Sequence, residues 1–330
     1  DWPAKFSVDG SGLTEIDSAG ALALLDAVDA HDAKADFVGF ADNELRIVEQ
    51  VRARLEAAHV PTHHHQERTL EHIGREGVAV GRQVLGHLNF LGAAVVGVLH
   101  SIFHPHHVRV RELTAQFEQV CLNAIPVVAL VTALIGVVVA YLLGLQAEQY
   151  GANIFVVDGV GIGATREFAP IIVAVIVAGR SGAAFTAQLG SMRLAEETDA
   201  IRTLGLSPMD VLVLPRVIAL MIAMPLLVFV GDVMSLAGAM LIAEPMLDIT
   251  PTTFIERLRD QLDIAHPLVG LAKAPVFALV IAVIGCRMGM TVDRDTRAVG
   301  MATTSTVVQS IVAVILLDAA FAVFFQELGI

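Results

Sequence analysis

Lysine is almost missing from this chain. Of its 330 residues only Lys5, Lys34 and Lys273 are lysine, and none lies in a G-x-x-x-x-G-K-[ST] loop. ATP binding through a P-loop is therefore excluded. Cysteine is equally scarce. Cys121 and Cys286 sit in or at the end of apolar stretches and read as buried free thiols, which excludes a disulfide scaffold. Charged residues make up 17% and apolar ones 55%, whereas a soluble domain has about 25% and roughly 45–50%. That shift excludes disorder and points toward lipid. The net charge of −13 argues against a nucleic-acid partner. No H-E-x-x-H motif occurs, and the chain starts at Asp1 with no signal pattern, which reads as a missing N-terminus.

What is present divides into a polar head and a membrane body. Over residues 1–60 the pattern alternates as in an α/β domain. Asp17-Ser18-Ala19-Gly20 precedes a helix over Ala21–Val28, Ala35–Phe40 reads as a short buried strand, and Asn43–Ala58 as an amphipathic helix. Residues 61–83 read as a linker. Its His63-His64-His65 could ligate a metal, but the solvated-linker reading is preferred, and no metal site is assigned. Val84–Phe103 is apolar but interrupted by His87, Asn89 and His100, with Arg82, Arg109 and Arg111 flanking it. It reads as an interfacial helix lying along a membrane, and His104-Pro105-His106-His107 as the turn that follows.

Five stretches are long and apolar enough to cross a bilayer core of ~30 Å: Ala124–Leu145, Ala169–Leu189, Val211–Ala243, Leu268–Cys286 and Val307–Phe325. Pro215 and Pro225 are expected to kink the third. Loops 190–210 and 287–306 carry Arg193, Arg202, Arg287, Arg294 and Arg297, against Arg166, Arg257 and Arg259 on the other side. The positive-inside rule puts the head and the richer loops in the cytoplasm and the C-terminus outside.

Several constellations could carry chemistry. Gly159-Val160-Gly161-Ile162-Gly163 has the glycine density of a phosphate cradle, yet no strand precedes it, and it reads as an extracytoplasmic turn. Gly179-Arg180-Ser181-Gly182 resembles an intramembrane protease serine, but a nucleophile needs a nearby base. The only later histidine, His266, sits at a span mouth, so close helix packing is preferred. No catalytic residue is assigned. The segment Glu196-Glu197-Thr198-Asp199-Ala200-Ile201-Arg202-Thr203-Leu204-Gly205-Leu206-Ser207-Pro208 has acids early, Arg202 late and two stop residues. It reads as a short helix in water between spans, with Ile201 and Leu204 exposed unless something covers them. Ionisable groups inside spans usually mark a pathway or a pair. Lys273 and Asp318 fall roughly 8 Å and 10 Å below the outer ends of their spans, a matching depth, with Arg166 and Glu167 near that level. Arg180 lies deeper, and Asp232 is its expected partner.

The 196–208 loop followed by Pro215-Arg216 resembles the E-x-x-D-A-[LI]-x-x-x-G-x-x-P signature of the MlaE/YrbE permeases of lipid ABC transporters. So do Arg166-Glu167-Phe168-Ala169-Pro170, Ala178–Gly182, and Thr303-Thr304 with Val307-Val308-Gln309-Ser310 and Asp318-Ala319. The resemblance covers residues from about 85 to 330 in order, the permease domain being taken as 84–330. Ile16-Asp17-Ser18-Ala19-Gly20 resembles a STAS domain, with Ser18 at its phosphorylation position and Asp17, Ser18 and Gly20 as an interface. The fold this implies is mainly α: five transmembrane helices and an interfacial helix, preceded by a partial STAS-like α/β domain.

The resemblance further implies a homodimer, a separate ATPase docked on Glu196, Glu197, Asp199, Ala200, Ile201, Arg202, Leu204, Gly205 and Pro208, and an MCE-domain protein on the outer side. It implies a phospholipid substrate meeting Arg166, Glu167, Lys273 and Asp318, no cofactor, and a place in the bacterial inner membrane in support of outer membrane lipid asymmetry. A STAS-containing secondary anion transporter and a non-transporting anchor for STAS signalling stand as alternatives.

Overall fold

The computed structural model describes residues 5–13, 16–29, 34–58, 69–104 and 109–329. The His63-His64-His65 group and residues 105–107 lie outside them. The chain divides into two compact units, Asp1–Glu76 and Gly77–Ile330.

The first unit holds strands β1 (Lys5–Asp9) and β2 (Lys34–Val38), with helices α1 (Ser18–Asp29) and α2 (Asp42–Ala58). The strands pair in parallel, Lys5 opposite Lys34 through Asp9 opposite Val38. A parallel pair needs a crossover connection, and α1 supplies it. Ala21 and Leu25 of α1 and Val48 of α2 form the small core. Asp17 Oδ1 accepts the Gly20 N–H at 2.7 Å and so caps α1. Gly39 sits at φ +79° after β2, where a side chain would be strained. Strand β1 has no counterpart among the sequence expectations.

The second unit is helical. Helix α3 (Thr69–Phe103) begins inside the expected linker, which is corrected accordingly: residues 69–83 are helix. Then come α4 (Val110–Gln149), α5 (Phe155–Leu194), the short α6 (Glu197–Thr203), α7 (Met209–Leu247), α8 (Pro251–Gln261), α9 (Ala265–Thr291) and α10 (Thr296–Glu327). Among the described residues, six segments are long and apolar enough to cross a membrane by length and composition, the five expected and Gly77–Ser101 of α3. Each helix outruns the apolar run that marked it, because polar residues extend its ends.

Glycine lets these helices touch backbone to backbone. A Cβ at Gly136 of α4 would collide with the Ser235 carbonyl of α7, and one at Gly238 of α7 with the Ala133 carbonyl of α4. Such small-residue contacts stand in for the hydrophobic drive that lipid removes. Val128, Val177, Phe185, Leu220, Met224, Phe277 and Ile281 fill the core between them, and Cys121 and Cys286 are buried and free. Pro215 lies in the first α-helical turn of α7, just past a π-helical turn at Met209–Val213, where the missing N–H is harmless. Pro225 and Pro245 lie inside a helix that continues through them.

Gly159–Gly163 is helix, not the expected turn. The glycines serve packing: a Cβ on Gly161 would stand 2.7 Å from Leu258 of α8. Helix α8 is fixed there by Arg257, whose Nε and Nη2 donate to the two Asp158 oxygens at 2.8 and 2.6 Å. That hydrogen bonding raises the Arg257 pKa.

Candidate functional site

Two constellations stand at opposite ends of the bundle. The first is built on a π-helical turn, Ala164–Phe168 in α5, a device that shifts side-chain register and recurs at functional sites. A Cβ on Gly270 of α9 would collide with the Thr165 carbonyl, so α9 lies directly on this turn. Lys273, one helical turn along from Gly270, is thereby delivered to it.

Lys273 is fully buried. Its Nζ donates to Glu167 Oε2 at 2.6 Å, to Asp318 Oδ1 of α10 at 3.1 Å and to the Arg166 carbonyl at 3.4 Å. An ammonium has three protons, so all are engaged. Glu167 Oε1 also faces Arg166 Nε at 3.5 Å, and Arg166 Nη1 lies 3.3 Å from His266 Nδ1. The result is an alternating chain of charge, Arg166–Glu167–Lys273–Asp318, drawn from three helices. Access varies along it, and Asp318 keeps 11% of its side-chain surface. The Lys273 side chain has no exposed surface, whereas those of Arg166 and Glu167 keep 18% and 29%. Arg166 lies within α5, not in a loop. Depth along the helices puts Lys273 beside Asp318 on paper; that Glu167 is its nearer partner depends on the π-helical turn, which no residue pattern marked.

The expected Arg180–Asp232 pair does not form. Arg180 Nη1 and Asp232 Oδ1 are both enclosed without a hydrogen-bond partner. Their levels differ. Gly231 of α7 packs against Val173 and Ala169 of α5, which leaves Arg180 seven residues further along α5, roughly 10 Å away. Ser181 is buried, and His266 is committed to Arg166, so no base stands near that serine. The Gly182 carbonyl instead lies against Gly285 of α9, the close packing expected of this motif. Among the described residues no group of His, Cys, Asp and Glu could hold a metal.

The second constellation is α6 with its flanks. Glu196 adopts a left-handed conformation (φ 60°) before the helix, and Gly205 (φ +75°) ends it. Pro208 then precedes α7. Thr198 is buried and Ile201 packs against the core, while Leu204 is 76% exposed. The expectation that both Ile201 and Leu204 stand uncovered therefore holds for Leu204 alone. Arg202 lies 3.4 Å from Asp199. Across the gap, Arg294 in the α9–α10 connection donates to Glu196 Oε1 at 2.8 Å and Asp199 Oδ2 at 2.5 Å. This clamp was not anticipated, because Arg294 is almost a hundred residues away in sequence.

Exposed ion pairs contribute about 0.2–1 kcal/mol each, so Arg294→Ala should barely change the melting temperature. It should still loosen α6. The expected result is faster amide hydrogen exchange across residues 196–203, with exchange in α7 and α9 unchanged.

Among the described residues, six segments long and apolar enough to cross a membrane, with a short exposed helix at one end, read as a multi-pass membrane body. The comparisons agree. The family model described as Permease MlaE matches residues 113–324. A probable ABC transporter permease protein of Synechocystis sp. is 36% identical over 188 residues, covering 57% of this chain and 72% of the relative. One from Rickettsia prowazekii is 36% identical over 194 residues, 59% and 75% of the two chains. The chloroplastic protein trigalactosyldiacylglycerol 1 of Arabidopsis thaliana is 30% identical over 217 residues, 66% and 62% of the two.

The class is thus an ABC transporter permease subunit: a multi-pass membrane protein that is not itself an ATPase and works with an ATPase partner. The chain belongs to the MlaE permease family. A secondary anion transporter is set aside by that membership.

Proposed function

We propose that this permease moves phospholipid between the bacterial inner membrane and an MCE-domain partner outside, as one half of a homodimer driven by an ATPase docked on α6. The observation that carries the reading is the buried charge chain. Four ionisable groups at one level inside an apolar bundle are costly and usually functional. Here they are arranged so that one cation and one anion, Arg166 and Glu167, remain accessible. A guanidinium forks onto phosphate oxygens, so Arg166 is the headgroup contact. Lys273 and Asp318 hold Glu167, and through it Arg166, in place. A single chain leaves this pair on an open flank, and a second copy would supply the facing wall. The lipid name carried by the Arabidopsis relative is in keeping with the substrate class.

Helix α3 is read as interfacial, with its head unit cytoplasmic and the C-terminus outside. Gln83 reaches Met288, His87 lies 3.3 Å from Arg287, and Gly97 packs on Leu214. Gly97 stands roughly 15–20 Å along α3 from Gln83 and His87, yet all three of these contacts fall toward the α6 ends of α9 and α7, which suits a helix lying across that end. The head unit is read as STAS-like on its parallel β–α–β unit, with Asp17, Ser18 and Gly20 at the start of α1 as a regulatory contact.

The test is reconstitution of the permease with its ATPase in proteoliposomes containing fluorescent phospholipid. ATP-dependent extraction of the lipid by an added MCE-domain acceptor is expected. Extraction that proceeds equally without ATP, or none with it, would contradict the reading.

A further inference from the structure

The Arg166–Asp318 chain is balanced in charge and bonded throughout; one arginine elsewhere in the bundle has no partner among the described residues. Five arginines are buried or half-buried in the long helices α5, α7 and α9. Arg166 meets Glu167, Arg193 donates to the Met290 carbonyl, Arg216 to the Leu212 carbonyl and Gln188, and Arg287 meets His87. Arg180 is the exception: among the described residues it has no hydrogen bond and no ion pair, and its Nη1 is enclosed with nothing to receive its protons.

Its position adds to this. Arg180 stands on the π-helical turn Ala178–Gly182, roughly 20 Å of helix from Glu167 and about the same from the α6 end of α5. That is the middle of the span, where an uncompensated charge is most costly. Arg180 is part of the wall of a pocket of about 60 Å³ whose other walls include Gln119 of α4, Ser181 and Phe185. The lining offers an amide and a hydroxyl but no carboxylate. The space takes water or one phosphate-sized group and is too small for an acyl chain. A planar fork of donors beside an acid-free, phosphate-sized space is suited to an oxyanion.

We infer that Arg180, with Gln119 and Ser181, forms a mid-membrane subsite for the phosphate of a lipid headgroup in transit between the two ends of the bundle. This rests on the phospholipid reading above. It gives the headgroup a counter-charge at the depth where it most needs one, and it gives Arg180 the partner that Asp232 does not supply.

The experiment uses the complete permease–ATPase complex in proteoliposomes. A photoreactive residue at Gln119 is combined with phospholipid labelled in its phosphate. Capture at position 119 is expected in the wild-type background and should survive excess inorganic phosphate. Arg180→Gln should lower both capture and ATP-dependent transfer at least tenfold, with melting temperature, ATPase association and capture at Phe168 beside Arg166 unchanged. Arg180→Lys, which keeps the charge but loses the fork, should fall between.

Wild-type capture and transfer in a stable Arg180→Gln protein would overturn the subsite, as would loss of capture to inorganic phosphate. If the glutamine variant does not fold, absence of lipid capture at position 119 in the otherwise unaltered protein overturns it. A wild-type complex that transfers no phospholipid at all would instead remove the underlying reading.

Discussion

Lys273→Met is expected to destabilise the bundle by about 3–5 kcal/mol, the usual result of breaking a buried ion pair from one side. The reason is specific here. Lys273 is the cation between Glu167 and Asp318, and its removal leaves two neighbouring carboxylates without their shared counter-charge. Removing the pair together, Lys273→Met with Asp318→Leu, leaves Arg166 and Glu167 still matched in charge. Most of the lost stability should return, because apolar replacements of buried pairs are often neutral. Transport should not return with it. Glu167 would lose its 2.6 Å anchor, and Arg166 the orientation that follows from it. Thermal melting and ATP-dependent lipid transfer, measured on the same preparations, separate these effects. Full transfer by a stable double variant would reduce Lys273 and Asp318 to packing.

The second large effect is expected at α6. Leu204 is 76% exposed at the end of a helix whose other apolar residue, Ile201, is already packed on the core. A large apolar side chain on such a surface is the anchor a docked partner would bury. Leu204→Asp should abolish co-purification of the ATPase, with the permease's own melting unchanged because Leu204 is largely uncovered among the described residues. Asp199 is a poorer place to test docking, since it also holds Arg294 and its loss would disturb α6 itself. An ATPase that still co-purifies at wild-type stoichiometry with Leu204→Asp would move the docking surface elsewhere.

The spans were legible because stretches of 19 or more mostly apolar residues have few other uses, and each was placed within a long helix. Several of their ends were misplaced. The last helix begins at Thr296, well ahead of the expected Val307, and α5 at Phe155, well ahead of Ala169, whereas the expected start at Ala124 is the N-cap of the α-helix Ile125–Gln149. Gly159–Gly163 misled because glycine marks turns far more often than helix contacts, and the contact with Leu258 cannot be read from one strand of sequence. Depth counting placed Lys273 level with Asp318. Arg180 and Asp232 were misjudged because α5 and α7 pack with Gly231 against Val173, which sets the two groups roughly 10 Å apart in level. The π-helical turns explain much of the remainder: they rotate Arg166, Glu167 and Arg180 away from where a regular helix would aim them. The Arg294 clamp has no local signal whatever; it exists only because the α9–α10 connection lands beside α6.

The measurement closest to the central claim is capture of lipid at the charge chain itself. Phe168 is exposed and adjacent to Glu167, so a photoreactive residue there, in the assembled transporter, reports on whatever approaches Arg166. Phospholipid labelled in its headgroup should be captured at position 168, and Arg166→Gln should cut that capture at least tenfold without lowering the melting temperature. Equal capture with and without the Arg166 guanidinium, or no capture in the intact transporter, would contradict a lipid site at this end of the bundle.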